Sequence, residues 1–593
     1  MQVSDKLMLL RSRMDAAGVD ACIIPSGDPH LSEYPADHWK VREWLSEFTG
    51  SAGTLVVTRE EAALWTDSRY YLQAEEQLDE LTIQLFRDGQ PGTPDYASWL
   101  CEVLMPGDKV AVNGANLSIT QLRTLTRQLR TGQIQIDSVS SVAEDIWASR
   151  PTIPEDTIFM HDDDWAGKTR AEKLLEIREI MKKEGATHYI TAALDEVAWT
   201  LNLRGTDVLY NPVFHAYLII EHDQAKLFVN PHKLTAQIAQ KLAIDDVKVY
   251  LYDDFYKHIK DQSTDAVYFI DADKINSAIF AALSPKSEKR EGLSIINRLK
   301  ACKNAIELNH LKETLINDGV AMVQFLYWLE ENVVSCKVSE LSAAKKLKSF
   351  RAGQQGFMGE SFGAISAYGP HGAIVHYNAN AQTDAVLKPE GIYLIDSGGQ
   401  YLGGTTDITR TIALGTPSQQ AKEDFTLVLK GHIALANAIF PAGSRGVHLD
   451  ILARKALWEK GLNYGHGTGH GIGYFLNVHE GPQNIRPQDN GIELKPGMVS
   501  SNEPGLYRQG EYGIRIENLI LCKEKYETEF GKFLEFETLT LCPIDKTLIE
   551  KSLMTSEEIA WLNQYHQRVF DVLKAHLTEA QAEWLKNKTS ALE

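Results

Sequence analysis

Residues 6–26, KLMLLRSRMDAAGVDACIIPS, place apolar side chains at helical spacing up to Gly18 and then run into a short apolar stretch. That pattern predicts an amphipathic helix, a glycine at its C-terminal end and a buried strand. Residues 173–193, KLLEIREIMKKEGATHYITAA, repeat it, with Gly185 in the place of Gly18. The likeness runs on: WLSEFTG (44–50) is answered by WTLNLRG (199–205), and TLVVTREEAALWTD (54–67) by YLIIEHDQAKLFVN (217–230). Each member of the second pair reads as strand, polar turn, strand. The first copy carries an additional segment, SGDPHLSEYPADHW, whose Pro, Asp and His content marks a loop between core elements. Two similar α/β domains are expected, at 1–150 and 151–302, divided near the proline-containing polar segment SRPTIPEDT (149–157).

Beyond 302 the pattern changes. Helical spacing holds over 303–333, through IELNHLKETLINDGVAMVQFLYWLEENV. Short strands and glycine turns follow from 355 to 415, and helices are predicted over 418–439 and 446–460. The glycine-rich stretch YGHGTGHGIGYF comes next, then strand pairs to about 543. In the tail, Thr555 with Glu558 and Thr578 with Gln581 each have the form of a capping box. The stripe of Ile559, Leu562, Val569 and Leu573 is expected to pack on the body of this third domain, 303–593.

The length of 593 residues calls for several cores, since single cores stop growing near roughly 250–300 residues. With 44% apolar and 24% charged residues the composition is that of a globular protein. A net charge of −20 argues against nucleic acid or an anionic membrane as a partner. The six cysteines are scattered and form no Cys-x-x-Cys pair, which suits a reducing compartment. The start, MQVSDKLMLLRSRMDAAG, lacks the apolar core of a signal peptide, and no apolar run reaches the roughly 18 residues of a membrane span. A cytoplasmic protein is expected.

The chemistry concentrates in the last third. LIDSGG, TTDITR, GTGHGIG, SNEPG and IRIEN present Asp396, Asp407, His470, Glu503 and Glu517. GIYLID and TDITRTIAL read as two strands joined by a turn, an arrangement that places Asp396 and Asp407 on one sheet face. VSSNE and IRIENLIL repeat the device with Glu503 and Glu517 around the turn PGLYRQGEYG. Clustered carboxylates repel, and divalent cations remove that cost. Taken alone, Glu517 also suits a structural ion pair with Arg515, two residues away on the same strand face. His466 and His470 have the spacing of a helical metal pair, but the alternating glycines at 465, 467, 469, 471 and 473 oppose a helix. A glycine-rich loop or strand end is expected, with only one of the two histidines needed as a ligand. One imidazole with four carboxylates and no thiolate favours manganese, cobalt, iron or zinc over copper, and two such cations flanking one water make a hydrolase.

At these residues the chain resembles the pita-bread metallopeptidases, the fold of methionine aminopeptidase, prolidase and aminopeptidase P. The likeness to three-domain cytosolic Xaa-Pro aminopeptidases is closer and covers nearly the whole chain. It rests on IPSGDPHLSEY, GSAGTLVVT, WTDSRYYLQA, LDEVAWTLNLRG, NPVFHAY, GHGTGHGIGYFLNVHEGP, GIRIEN and SEEIAWLNQYH. One departure is GPHGAIVHY, where the family pattern has asparagine at His371. The resemblance implies an α/β (α+β) architecture of two creatinase-like N-terminal domains followed by a pita-bread catalytic domain with a helical tail. It implies two divalent metals, manganese first, with cobalt or zinc as alternatives. Asp396 would chelate one metal, Asp407 and Glu517 would bridge both, and His470 and Glu503 would hold the second. A hydroxide between them would attack the scissile carbonyl, with Glu503 as proton shuttle. His376 and His479 match substrate-binding histidines, and His466 would line the same pocket, beside His470 and Glu503. Arg69 matches a substrate-contacting arginine of the first domain, and Arg515 a partner of the metal carboxylates. Short peptides beginning X-Pro are the implied substrates and a homodimer the implied assembly. A prolidase-like dipeptidase, a metal-free creatinase-like hydrolase and an inactive binding module of the same fold are the alternatives.

Overall fold

The computed structural model describes residues 1–261 and 265–593. The chain divides into two compact units, Met1–Asp163 with Lys168–Asn297, and Asp164–Gly167 with Arg298–Glu593.

The first unit holds the repeat as two six-stranded sheets of equivalent topology. In the first, Ala21–Pro25 pairs antiparallel with Thr54–Thr58 and parallel with Lys109–Val112. In the second, His188–Thr191 pairs antiparallel with Tyr217–Glu221 and parallel with Val267–Ile270. Their central strands, such as TLVVT and YLIIE, are almost wholly buried, as continuous apolar runs covered on both faces must be. Gly18 ends the helix Val3–Ala17 at φ 65°, and Gly185 takes the same φ just after Arg170–Lys183, left-handed conformations that suit glycine. The inserted loop is not a free surface excursion. His30 is buried, and its ring nitrogens lie 2.8 Å from the Ala192 carbonyl and 2.8 Å from the Tyr252 hydroxyl, so the first-copy loop is stitched to the second copy.

The second unit opens with the helix Ala305–Val333, started by an Asn304 and Glu307 capping box. Helices Gln419–Ala436 and Gly446–Trp458 lie where the spacing predicts them, with ends within a few residues. Two small sheets position the carboxylates of the site: Ile365–Tyr368, Ile392–Ser397 and Ile408–Ala413 in one, and Ile439–Pro441, Gly531–Thr538, Asn518–Thr528 and Val499–Asn502 in the other. Both tail helices, Ser556–Leu573 and Glu579–Lys588, begin in capping boxes at Thr555 and Thr578. Leu562, Val569 and Leu573 are buried with Val428 and Ile514 in one core, and Ile559 is half-buried. Each such aliphatic side chain contributes about 1.5–3 kcal/mol of burial. Among the described residues no helix is long and apolar enough to cross a membrane.

Candidate metal centre

Asp396 lies on the strand Ile392–Ser397, directly opposite Thr409 of Ile408–Ala413. Asp407 immediately precedes the latter strand, which begins at Ile408. Both aspartates are buried. The glutamates are placed by the other sheet, where Asn502 pairs with Asn518; Glu503 leaves that ladder and Glu517 enters it. The segment between them is more than a turn: Gly505–Arg508 and Tyr512–Arg515 form a hairpin of their own.

His470 comes from a two-residue strand, Gly469–His470, paired with Asn484–Ile485, and no helix forms here. Two of the glycines, Gly469 and Gly471, leave no room for a side chain. A Cβ on Gly469 would lie 2.1 Å from the Ser501 carbonyl oxygen, and one on Gly471 2.1 Å from that of Glu480. The strand is thereby brought against the glutamate segment. His470 N–H donates to Ser501 Oγ at 3.0 Å, and Ser501 Oγ donates to Glu503 at 3.0 Å. With its Nδ1 3.0 Å from the Gly471 carbonyl, His470 turns Nε2 toward Asp407 Oδ2 at 3.5 Å and Glu503 Oε1 at 3.4 Å.

Asp407, His470 and Glu517 bring one ligand atom each to within 4.8 Å of one another, the only such group of three found among the described residues. Asp396 and Glu503 are close enough to share their field. Burial, then the charges of Asp407 and Glu503, raises the Asp396 carboxyl to about 6 despite Arg515. Burial and the charges of Asp407, Glu503 and Asp396 push Glu517 well above the ordinary carboxylate range. Glu503 is pushed up by desolvation against the pull of His470. Desolvation opposes a charge on His470, but the hydrogen bond to Asp407 and the charge of Glu503 outweigh it and raise its imidazole to about 9. Asp396 Oδ1 is buried with no hydrogen-bond partner. Hard oxygen donors, one imidazole, mutual repulsion and an orphaned carboxylate oxygen all fit divalent cations.

Behind the carboxylates stands Arg515. It donates through Nη2 to Asp396 Oδ2 at 2.7 Å, through Nη1 to the Tyr507 hydroxyl at 2.7 Å, and through Nε to Thr409 Oγ1 at 3.2 Å. Glu517, the partner that strand spacing alone would allow, is reached only at one remove, by a 2.8 Å bond from Thr409 Oγ1. The strand holding Arg515 ends there and the next begins at Asn518, so the two residues do not share a continuous face. Tyr507 and Arg410 were invisible to motif spacing. Tyr507 OH also lies 2.8 Å from His466 Nε2. Fully buried Arg410 donates to the backbone carbonyls of Thr409 and Glu517, to Asn518 Oδ1 and to Tyr565 OH in the tail helix.

The remaining sequence-predicted residues have the following surroundings. The His479 ring meets His470 edge-on with centroids 4.3 Å apart. His376 follows Val375, whose carbonyl lies 3.5 Å from Arg515 Nη2. His466 is held by Tyr507 outside the ligand group. Arg69, in the first unit, makes a two-pronged contact with Asp67 at 2.7 and 2.8 Å.

Two creatinase-type domains ahead of a pita-bread domain that carries this carboxylate–histidine centre define a metallopeptidase. A profile of metallopeptidase family M24 matches residues 309–524, and one of its C-terminal region matches 532–592. Profiles of the creatinase/prolidase N-terminal domain match 6–146 and 149–307. Similar proteins include a probable Xaa-Pro aminopeptidase P of Coprinopsis cinerea, 40% identical over 99% of this chain and 98% of that one. Another, from Sordaria macrospora, is 40% identical over 99% of both chains. A solved X-prolyl aminopeptidase of Caenorhabditis elegans, described as a cytosolic enzyme with a di-nuclear active site, superposes with a TM-score of 0.96 at 33% identity over the full length of both chains. The chain belongs to metallopeptidase family M24, in the group of Xaa-Pro aminopeptidase P proteins.

Proposed function

We propose that the chain is a dinuclear metal-dependent aminopeptidase of the cytoplasm that removes the first residue from short peptides with proline second. The observation that carries this reading is the convergence of Asp407, His470 and Glu517, with Asp396 and Glu503 in the same field, in a chain matched end to end by relatives of that description. Asp396, Asp407, His470, Glu503 and Glu517 would hold the two cations, manganese first, with Asp407 and Glu517 shared. Such cations supply Lewis acidity toward the scissile carbonyl and a lowered pKa for water.

The protein's own groups do the rest. Glu503, beside His470 and with a raised affinity for protons, takes a proton from the attacking water and returns it to the departing nitrogen. An X-Pro amide is tertiary, so its nitrogen needs that proton before proline leaves. His376 and His479 hydrogen-bond the substrate near the reacting carbonyl, where a donor stabilises developing negative charge. His466 lines the pocket through Tyr507, and Arg69 contacts the peptide. The assembly is a homodimer.

The test is a three-substrate assay on manganese-loaded protein. Hydrolysis of X-Pro-Ala with little action on X-Ala-Ala supports the reading. Equal rates on both tripeptides would sink it, and cleavage of X-Pro dipeptides alone would make the protein a prolidase.

A further inference from the structure

Glu340 is the first residue of the helix Glu340–Ala352 and is fully buried. A buried carboxylate is costly unless its oxygens are satisfied, and here four donors satisfy them. Oε1 accepts from the Tyr368 backbone N–H at 2.7 Å and lies 2.8 Å from His371 Nδ1. Oε2 accepts from the Tyr377 hydroxyl at 2.9 Å and the Ala385 N–H at 3.0 Å. None of the donors belongs to the Glu340 helix. All four come from 368–385, two before His376 and two after it. The His371 ring also stacks on Tyr377, with centroids 4.4 Å apart and planes inclined by 24°. Tyr377, the chain neighbour of His376, is therefore gripped by its hydroxyl and by its ring face.

The segment also packs closely against the hairpin that carries Tyr507 and Arg515. A Cβ on Gly513 would lie 1.6 Å from the Gly372 carbonyl oxygen. Residues 372–377 are thus contacted both from Glu340 and from this hairpin. His371, a departure from the family pattern, lies within the clamp.

We propose that Glu340 is the positioning residue for His376, acting through His371 and Tyr377. The proposal rests on the reading of His376 as a substrate-facing group. A merely structural anchor would lower stability but leave turnover per folded, metal-loaded molecule unchanged. A positioning residue changes turnover, because misplacing a group by about 1 Å costs up to about 100-fold in rate.

The experiment uses full-length, manganese-loaded protein: wild type, Glu340→Gln, His371→Ala, His371→Asn, Tyr377→Phe, His376→Ala and the double variant His371→Ala/His376→Ala. It reads kcat and KM on an X-Pro tripeptide, metal content, and hydrogen exchange over 368–385. His371→Ala is expected to lower kcat about tenfold at unchanged metal content, with KM within about twofold, and to speed exchange around His376. His371→Asn, whose amide can donate to Glu340, should restore kcat. In the His376→Ala background the second substitution should add nothing, because both act through one group. Wild-type kcat in both His371→Ala and Tyr377→Phe overturns the proposal. So does a His371→Ala loss that multiplies onto that of His376→Ala. Should Glu340→Gln fail to fold, those two variants decide. A wild type inactive on X-Pro peptides would strike the proposed function instead, and unchanged exchange in His371→Ala would then still overturn the clamp.

Discussion

Arg515 Nη2 donates to Asp396 Oδ2 at 2.7 Å, and this contact leaves Oδ1 of the same carboxylate buried and unpartnered. One oxygen is thereby fixed so that the other can face a cation. The same guanidinium holds Tyr507 and Thr409, so its fork geometry matters as well as its charge. Arg515→Lys keeps the charge and loses the fork. It is expected to lower metal affinity or kcat/KM by about 10–100-fold, read by metal titration and steady-state kinetics. Wild-type values in both measurements would show that charge alone suffices at this position.

Glu503 holds a different kind of position. It is only partly buried, it accepts from Ser501 Oγ at 3.0 Å, and it lies 3.4 Å from His470. Glu503→Gln preserves its shape and removes its basicity. Turnover should fall by about 100-fold or more while the far-ultraviolet circular dichroism stays that of the wild type. Unchanged turnover would refute the proton-shuttle role.

The parts of this fold that could be read from the chain are those encoded locally. Gly18 and Gly185 mark helix ends because left-handed backbone suits glycine, and central strands such as TLVVT and YLIIE are built on apolar runs. The five ligand-type residues stood out because a carboxylate ending an apolar strand needs a partner. What stayed hidden depends on distant pairing. YRQGEYG reads as a turn, yet Tyr507 pairs with Gly513 in a hairpin. Period-two spacing would allow Arg515 to pair with Glu517 if that residue stood alone; the strand breaks at Ile516 and the guanidinium goes to the candidate metal carboxylate Asp396. Glu340 and Arg410 act on residues many positions away, for which motif spacing carries no signal.

Removing the metals should cost stability as well as activity. Glu517 is held above its ordinary range by burial and by three neighbouring carboxylates, a strain that bound cations relieve. With free metal at about 100 times its dissociation constant, binding contributes about 2.7 kcal/mol. For a unit of this size that corresponds to a fall in Tm of about 4 °C on chelation. Calorimetry with chelator and after manganese is restored reads the shift. A Tm indifferent to chelation would mean that these carboxylates do not bind the ion tightly.

Two buried histidines make the second unit sensitive to acid. Burial, reinforced by Arg410, lowers the His432 imidazole from its ordinary 6.5 to about 3. Burial and nearby Lys546 lower His566 to about 3, and its Nε2 accepts from the Ile544 N–H at 3.0 Å. Both must be neutral in the folded state, and both charge freely once unfolded. Their contribution is therefore fully present above pH 6.5 and is lost as the pH falls from 6.5 toward 3. Within that window the unfolded chain binds up to two more protons on these groups, which costs up to about 2–3 kcal/mol per pH unit. His566 lies in the tail helix, outside the ligand group, so His566→Gln isolates one of these protons. Urea unfolding of chelated protein at several pH values should show a stability slope shallower by about one proton in the variant than in the wild type. Identical slopes between pH 6.5 and 4 would mean that His566 is already charged in the fold.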